Sequence, residues 1–287
     1  MKQIKQQRFT MEEFNKKYPN DDACLEDIFY RKYALQAKCP KCGNPFKYYR
    51  VRGRKCYACQ YCGSQIFPLA HTIFEKSDTS LRSWYYAIFL FSVSKNGVSA
   101  KELQRQLGVT YKCAWRIANR IRELFEEDKK MLGNVVEVDE TYIGGKHQGK
   151  RGRGSENKTP VVGIAERKGA ITATVTLDAK QSTVMPIIKE HVNIGSEIMT
   201  DEFLTYQVLS EYGYRHQTVN HSKGQYVNGL AHTNTIECFW SQLKRSIDGT
   251  YHCVSPKYLQ EYVDEFSYRY NQRNALSPVF ALLLGRV

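Results

Sequence analysis

At 287 residues, with hydrophobic side chains making up 42%, the chain carries enough apolar material to bury a core of more than one domain, which excludes an intrinsically disordered protein. The formal net charge of +13 attracts polyanions, of which nucleic acid is the commonest. No apolar run approaches the ~20 residues that span a bilayer, and the N-terminal M-K-Q-I-K-Q-Q-R-F-T has no apolar signal core, so a soluble, cytoplasmic protein with no membrane partner is expected.

In chain order, residues 1–36 carry helical patterning, with Phe9, Phe14, Leu25, Ile28, Phe29 and Tyr33 recurring among charges. Residues 37–76 follow, rich in Cys, Gly and Tyr. Of nine cysteines, five lie between Cys39 and Cys62, and an odd count in a chain without a secretion signal argues for metal rather than a disulfide framework. C-P-K-C-G at 39–43 and C-Q-Y-C-G at 59–63 repeat one unit: two thiolates three positions apart, then a glycine that permits the tight turn. Cys39, Cys42, Cys59 and Cys62 are therefore expected to hold a structural Zn²⁺. Cys56 and Cys59 form a competing C-x-x-C pair, but only the first register repeats the trailing glycine. Cys24, Cys113, Cys238 and Cys253 read as buried small hydrophobes.

Residues 77–130 read as helices. Within them, V-S-A-K-E-L-Q-R-Q-L-G-V-T-Y-K-C-A-W-R-I-A-N-R-I-R-E-L at 98–124 has the form of a helix-turn-helix. Ser99 and Glu102 form a capping box, Gly108 allows the turn and Thr110 caps the second helix. Ala114, Ile117, Ala118, Ile121 and Leu124 face inward at helical spacing, which leaves Lys112, Trp115, Arg116, Asn119 and Arg122 outside to reach phosphates and base edges of DNA. An ordinary helical hairpin with a solvated charged face is the plainer alternative.

From 131 to 287 the pattern changes to strands alternating with helices, which predicts an α/β layer fold. Strands are expected at 135–142, 161–167, 170–177, 196–201 and 216–220, and helices at 182–191, 203–212, 235–247 and 256–273. Asp139 ends one apolar run and Asp201 a second, while Glu237 opens an amphipathic stretch whose buried stripe is Ile236, Phe239, Trp240, Leu243 and Ile247. Each acid also has a plain role: a turn residue, the cap of 203–212, or a capping-box glutamate three residues after Asn234. Jointly, two strand-end aspartates and a helix-borne glutamate can form an all-oxygen cage for a pair of Mg²⁺ (or Mn²⁺) ions, with Lys244 on the same helix placed to meet a DNA phosphate. Glu137 lies on the face of Asp139 but one step deeper, and Glu140 points the other way, so both rank below Asp139. His221, Tyr226, His232 and Asn234 precede the glutamate, and the glycine-rich basic stretch 144–154 reads as a hairpin loop that clasps DNA or is simply solvated.

V-E-V-D-E-T-Y-I-G-G-K, K-T-P-V-V-G-I-A-E-R-K-G, T-D-E-F, H-T-N-T-I-E-C-F-W-S-Q-L-K-R, G-T-Y-H and E-F-S-Y-R-Y-N resemble the DDE transposases of prokaryotic insertion sequences. With the two cysteine knuckles and G-V-S-A-K-E-L-Q-R-Q-L-G-V, the resemblance narrows to the branch with an N-terminal zinc ribbon and helix-turn-helix, and it covers about residues 25–275. It implies an RNase H-like catalytic core, Mg²⁺-dependent strand cleavage and strand transfer, and terminal inverted repeats and target DNA as partners. Asp139, Asp201 and Glu237 match the family's catalytic positions. The sequence departs from the family pattern at His71, where a glycine is expected.

The expected organisation is a helical segment at 1–36, a zinc ribbon at 37–76, a helix-turn-helix region at 77–130 and an RNase H-like domain at 131–287. The expected function is a transposase that binds element ends and cuts and joins DNA. It would act as a homo-oligomer, since two ends must be held together, in a prokaryotic cytoplasm in association with the nucleoid. A DNA-binding regulator with an inactive catalytic domain and a structure-specific nuclease of the same core fold are the alternatives.

Overall fold

The computed structural model describes residues 9–128, 130–145, 158–201, 204–219 and 232–287. His221, Tyr226 and most of the 144–154 stretch lie outside the described residues. The chain divides into two compact units, one of residues up to Ser94 with Ala100–Leu124 and Ala275–Val287, the other of Lys95–Ser99 with Phe125–Asn274. The units fall differently from the four expected segments. The first two expected segments and most of the third form one body, without Lys95–Ser99 and the residues from Phe125 on, and the last 13 residues, Ala275–Val287, join it rather than the α/β unit.

In the first unit, α1 (Met11–Lys17) starts at a full capping box between Thr10 and Glu13, and α2 (Asp21–Tyr33) starts at an Asn20 cap. A three-stranded antiparallel sheet of β1 (Tyr48–Arg50), β2 (Tyr57–Cys59) and β3 (Gln65–Ile66) carries the cysteine knuckles. α3 (Leu81–Val93) is apolar nearly all round and is the unit's central helix, with Leu81, Trp84, Tyr85, Ile88 and Phe91 buried. α4 (Ala100–Leu107) and α5 (Tyr111–Arg122) form the helical hairpin; its turn uses Gly108 at φ +65°, and Thr110 caps α5 through a bond from the Cys113 amide. α9 (Val279–Leu284) brings Phe280 into a ring cluster with Phe9, Phe14, Tyr18 and Phe89, which is why the C-terminal residues belong here.

His71, in the chain between β3 and α3, has φ +61°. This is the left-handed region that glycine enters without strain, so the glycine expected here and this chain's histidine answer one backbone demand. The His71 amide donates to Glu75 Oε2 at 2.8 Å and helps hold the turn.

The second unit is a five-stranded mixed sheet of β4 (Val135–Ile143), β5 (Thr159–Glu166), β6 (Ile171–Val175), β7 (Glu197–Asp201) and β8 (Arg215–Val219), in the order β6-β5-β4-β7-β8. β4, β5 and β6 form an antiparallel meander, and β7 and β8 add in parallel on the other side of β4. This is the RNase H-like arrangement implied by the resemblance. α6 (Gln181–His191) packs on one face with Val136, Val138, Val162, Ile164 and Ile198. α7 (Asn234–Ser246) and α8 (Leu259–Asn271) cover the other, against Ile143, Val161, Ala165 and Ala173. Alternation thus sends the even positions of β4 to α6 and the odd ones, Glu137 and Asp139 among them, to α7.

The segment expected as a helix at 203–212 is wound as 3-10 helix over Leu204–Tyr212. Tyr206 and Leu209 are both fully buried, and residues three apart eclipse in that geometry, so the tighter winding aims both at the core. After α7, a single π-helical turn (Ile247–Tyr251) ends at His252 with φ +62°. Among the described residues no helix is long and apolar enough to cross a membrane.

Candidate active site and metal centre

β4 and β7 pair in parallel as Val135 with Glu197, Val136 with Ile198 and Glu137 with Met199. Continued two residues beyond its last pair, that register brings Asp139 level with Asp201, which ends β7. Neighbouring strands lie about 4.8 Å apart, so the fold sets these two acids side by side although 61 positions separate them in sequence. From α7, Glu237 joins the electrostatics. Burial first, then the charges of Glu140, Asp201 and Glu237, push the Asp139 carboxyl up to about 7, while a hydrogen bond from the Glu140 backbone partly offsets them. The site has concentrated negative charge that a divalent cation would relieve, and its donors are all oxygen, the set that Mg²⁺ prefers.

Glu237 is not a capping-box residue. The N-cap of α7 is Thr233, whose side chain makes no cap bond; the Glu237 amide bonds the Thr233 carbonyl at 3.0 Å, and its Oε1 accepts from the Thr233 hydroxyl at 2.7 Å. The cap of α7 comes from elsewhere. Glu137, fully buried on β4, accepts from the Thr235 and Ile236 amides at 2.7 and 3.1 Å, from the Thr235 hydroxyl at 3.0 Å and from Arg167 Nε at 2.8 Å. A strand carboxylate therefore satisfies the orphan N–H groups of the helix that carries Glu237 and meets its positive end. Glu137, expected to rank below Asp139, has this role with no local signal in sequence, because the helix it caps lies 98 residues away.

Helical spacing places Trp240 in the buried stripe, and the fold gives it a polar contact as well. Its Nε1 donates to Asp139 Oδ2 at 3.1 Å. Gly163, opposite Asp139 across the β4–β5 pair, makes room: a Cβ there would collide with the Trp240 ring and Ile236. Lys244 lies seven residues after Glu237 and shares its helix face. Burial, with the charge of Lys158 in support, lowers the Lys244 ammonium, while Asp139 and Asp248 pull the other way. Glu140 points to the α6 face as expected and accepts from the Tyr206 hydroxyl at 2.8 Å.

In the first unit the four thiols of Cys39, Cys42, Cys59 and Cys62 converge, their sulfurs all within 4.8 Å of one another. The Cys39–Cys62 and Cys42–Cys59 separations are both 3.9 Å, against ~3.8 Å for the edges of a tetrahedron with ~2.3 Å zinc–sulfur bonds. Among the described residues no other group of His, Cys, Asp or Glu donors is drawn together so closely, and the carboxylate trio is set wider. Tyr48 donates to Cys39 Sγ at 3.1 Å and, with nearby backbone amides, brings that thiol down to about 6 against a smaller opposing effect of burial. Cys56 is buried outside the quartet, so the register with the trailing glycine is the one the fold gathers. Cys24 is buried as expected, whereas Cys238 and Cys253 are exposed, since Cys238 falls outside the buried stripe of α7 and Cys253 in the chain beyond the π turn.

Residues 131–271 match the family model described as the ISXO2-like transposase domain. The chain carries an insertion-sequence transposase domain. A protein in the transposable element ISH50 of Halobacterium salinarum is 27% identical over 250 residues, 80% of this chain and 84% of that one. A transposase-like protein of Haemophilus influenzae is 27% identical over 120 residues, 40% of this chain and 92% of its own. The intasome of simian T-cell lymphotropic virus, solved with a PP2A regulatory subunit, matches 57% of this chain and 63% of that chain at 14% identity, and its TM-score of 0.31 is too low to carry an argument.

In the helical hairpin of α4 and α5, Ala114, Ile117, Ala118 and Ile121 are buried as expected. Lys112 and Arg116 are exposed, Trp115 and Asn119 half-buried. Arg116 donates to the Ser77 hydroxyl at 3.3 Å. Arg122, expected on the outside, is instead 2% exposed, with its guanidinium over the Phe91 ring.

Proposed function

We propose that this transposase cuts and joins DNA at the ends of its element, using Asp139, Asp201 and Glu237 as the ligands of catalytic Mg²⁺. The observation that supports the reading is that the charges of Asp201 and Glu237 both act on the buried Asp139 carboxyl, in keeping with the β4–β7 register continued past its last pair, Glu137 with Met199. Bound there, the ions would supply stabilisation of the attacking and leaving oxygens of an in-line displacement.

The chain's own residues prepare that site. Trp240 holds one oxygen of Asp139 by its indole N–H and fixes the carboxylate's orientation. Glu137 fixes the start of α7, and with it the reach of Glu237. Lys244 offers a positive charge within electrostatic reach of Asp139, suited to the non-bridging oxygens of the scissile phosphate. The cysteine quartet, as a structural zinc site, would hold the three-stranded ribbon. Lys112 and Arg116, on the exposed side of α5, would contact the element end.

The test is an assay with supercoiled DNA carrying both element ends and Mg²⁺. A transposase yields ends cut at fixed positions and products joined to a second DNA. Cutting without joining would favour a nuclease, and binding without cutting a regulator.

A further inference from the structure

Beyond Asp139, β4 runs on for four residues to Ile143 and borders a groove of about 750 Å³. Its floor is the buried Ile143 and Ile247 with half-buried Val254, and its more exposed rim carries Lys158, Lys244, His252, Ser255 and Pro256. At 3.4 Å per residue, the near edge at Tyr142 lies about 10 Å along the strand from Asp139. The two ammonium groups on the rim are close enough that Lys158 opposes the charge of Lys244, an arrangement that an anion between them would relieve. The rim's acid is Asp248; its backbone carbonyl lies 2.9 Å from His252 Nδ1, which holds that ring at the edge of the π turn. An apolar floor under a cationic rim is complementary to a sugar–phosphate chain, with sugar below and phosphate at the rim.

We propose that this groove binds the DNA strand immediately beside the scissile phosphate, with Lys158 and Lys244 contacting its next phosphates and Ile143, Ile247 and Val254 packing under its sugars. The inference rests on the transposase reading and assigns a path to the reacting strand. The contacts are to backbone, so the groove acts on any sequence.

The test uses the full chain with Lys158→Ala and Ser255→Glu, both away from the carboxylate site. Ser255 is exposed and its side chain caps nothing, so a glutamate there adds charge without removing a structural bond. Binding of a short labelled duplex of random sequence is measured against salt. Lys158→Ala should reduce the salt slope by about one, to the same extent on random and element-end duplexes, and Ser255→Glu should weaken binding of both. Cys253, exposed on the groove wall, should form a disulfide with an oligonucleotide carrying a thiol tether on the phosphate next to the cleavage position. Unchanged salt slopes and no cross-link, in a protein that still cuts element ends, would overturn the groove and leave the transposase reading standing. A wild-type chain that neither binds nor cuts DNA would overturn both. Variants that change only the oligomeric state would overturn the groove in favour of a protein occupant.

Discussion

Trp240 Nε1 donates to Asp139 Oδ2 at 3.1 Å across 101 residues of chain. The bond joins the face of α7 that packs on the sheet to an acid of the candidate active site, so packing and chemistry share one side chain. Trp240→Phe retains most of the ring's packing and removes the donor. A hydrogen bond to a charged group contributes about 1.5–3 kcal/mol, and an N–H aimed at a carboxylate favours its ionised form. The expected outcome is a folded protein with Asp139 pushed further upward, and DNA cleavage whose acid limb moves to higher pH. A pH–rate profile of both proteins checks this.

The raised Asp139 carboxyl has a consequence for the metal-free protein. Its folded value of about 7 exceeds the unfolded value of about 3.9. Between these limits the native state binds the extra proton, so the contribution is complete below the unfolded value and is lost as pH rises through 7. In chelator, stability should fall with pH across that window, and Asp139→Asn should flatten the fall. Thermal unfolding from pH 5 to pH 8, with and without Mg²⁺, measures it; Mg²⁺ should restore wild-type stability at high pH and do little for the variant.

Glu137 gives a third expectation. Glu137→Ala removes the acceptor of two α7 amides and of Arg167 Nε, a loss on the order of 3–5 kcal/mol by analogy with broken buried ion pairs. Glu137→Gln keeps one acceptor oxygen and should fold, with cleavage reduced because α7 and Glu237 are no longer held as tightly. Melting temperature and cleavage rate, measured on both variants, separate the two effects. Wild-type cleavage by Glu137→Gln would remove Glu137 from the positioning of Glu237.

Much of this was legible before the fold was known, and what was not has a common cause. The repeated C-x-x-C-G unit, the α5 stripe and Asp201 at the end of β7 are local patterns and lie where they were expected, whereas Asp139, expected at a strand end, stands in the middle of β4. Contacts set by tertiary packing left no such trace: Glu137 capping a helix 98 positions on, Gly163 yielding to Trp240, and Phe280 returning to the N-terminal unit. Arg122 was misplaced for a related reason. Helical spacing marks it as flanking the stripe, but the buried face of α5 is wide enough to include it, and the Phe91 ring receives the charge. His71 is the reverse case, where a departure in sequence pointed to a real backbone constraint.

That constraint yields a fourth prediction. A non-glycine residue in the left-handed region costs on the order of 1 kcal/mol. His71→Gly should therefore raise the stability of the first unit by a similar amount, less the entropy that glycine adds to the unfolded chain. His71→Val should lower it. Denaturant unfolding of the three proteins gives the order; a histidine more stable than glycine would show that its side chain contributes more than the strain removes.

Cys42→Ser should lose zinc and loosen the ribbon, while Cys56→Ser should keep it, since only Cys42 belongs to the quartet. Tyr48→Phe removes the donor to Cys39 and should weaken zinc by about 10–100-fold, the usual effect of losing a ligand's hydrogen-bond partner. Elemental analysis and chelator competition report both. Zinc retained by Cys42→Ser and lost by Cys56→Ser would reverse the register.

The central claim is that Asp139, Asp201 and Glu237 act together on a bound divalent metal. Its most direct measurement is Mg²⁺-dependent cleavage of element-end DNA by the wild type and by Asp139→Asn, Asp201→Asn and Glu237→Gln, each shown to be folded and to bind that DNA. Glu237→Gln is the sharpest of the three, because the amide oxygen can still accept from the Thr233 hydroxyl while the charge a hard cation needs is gone. The account predicts wild-type cleavage that rises with Mg²⁺ and a fall of orders of magnitude in all three variants. Cleavage by Glu237→Gln at the wild-type rate under limiting Mg²⁺ would contradict it.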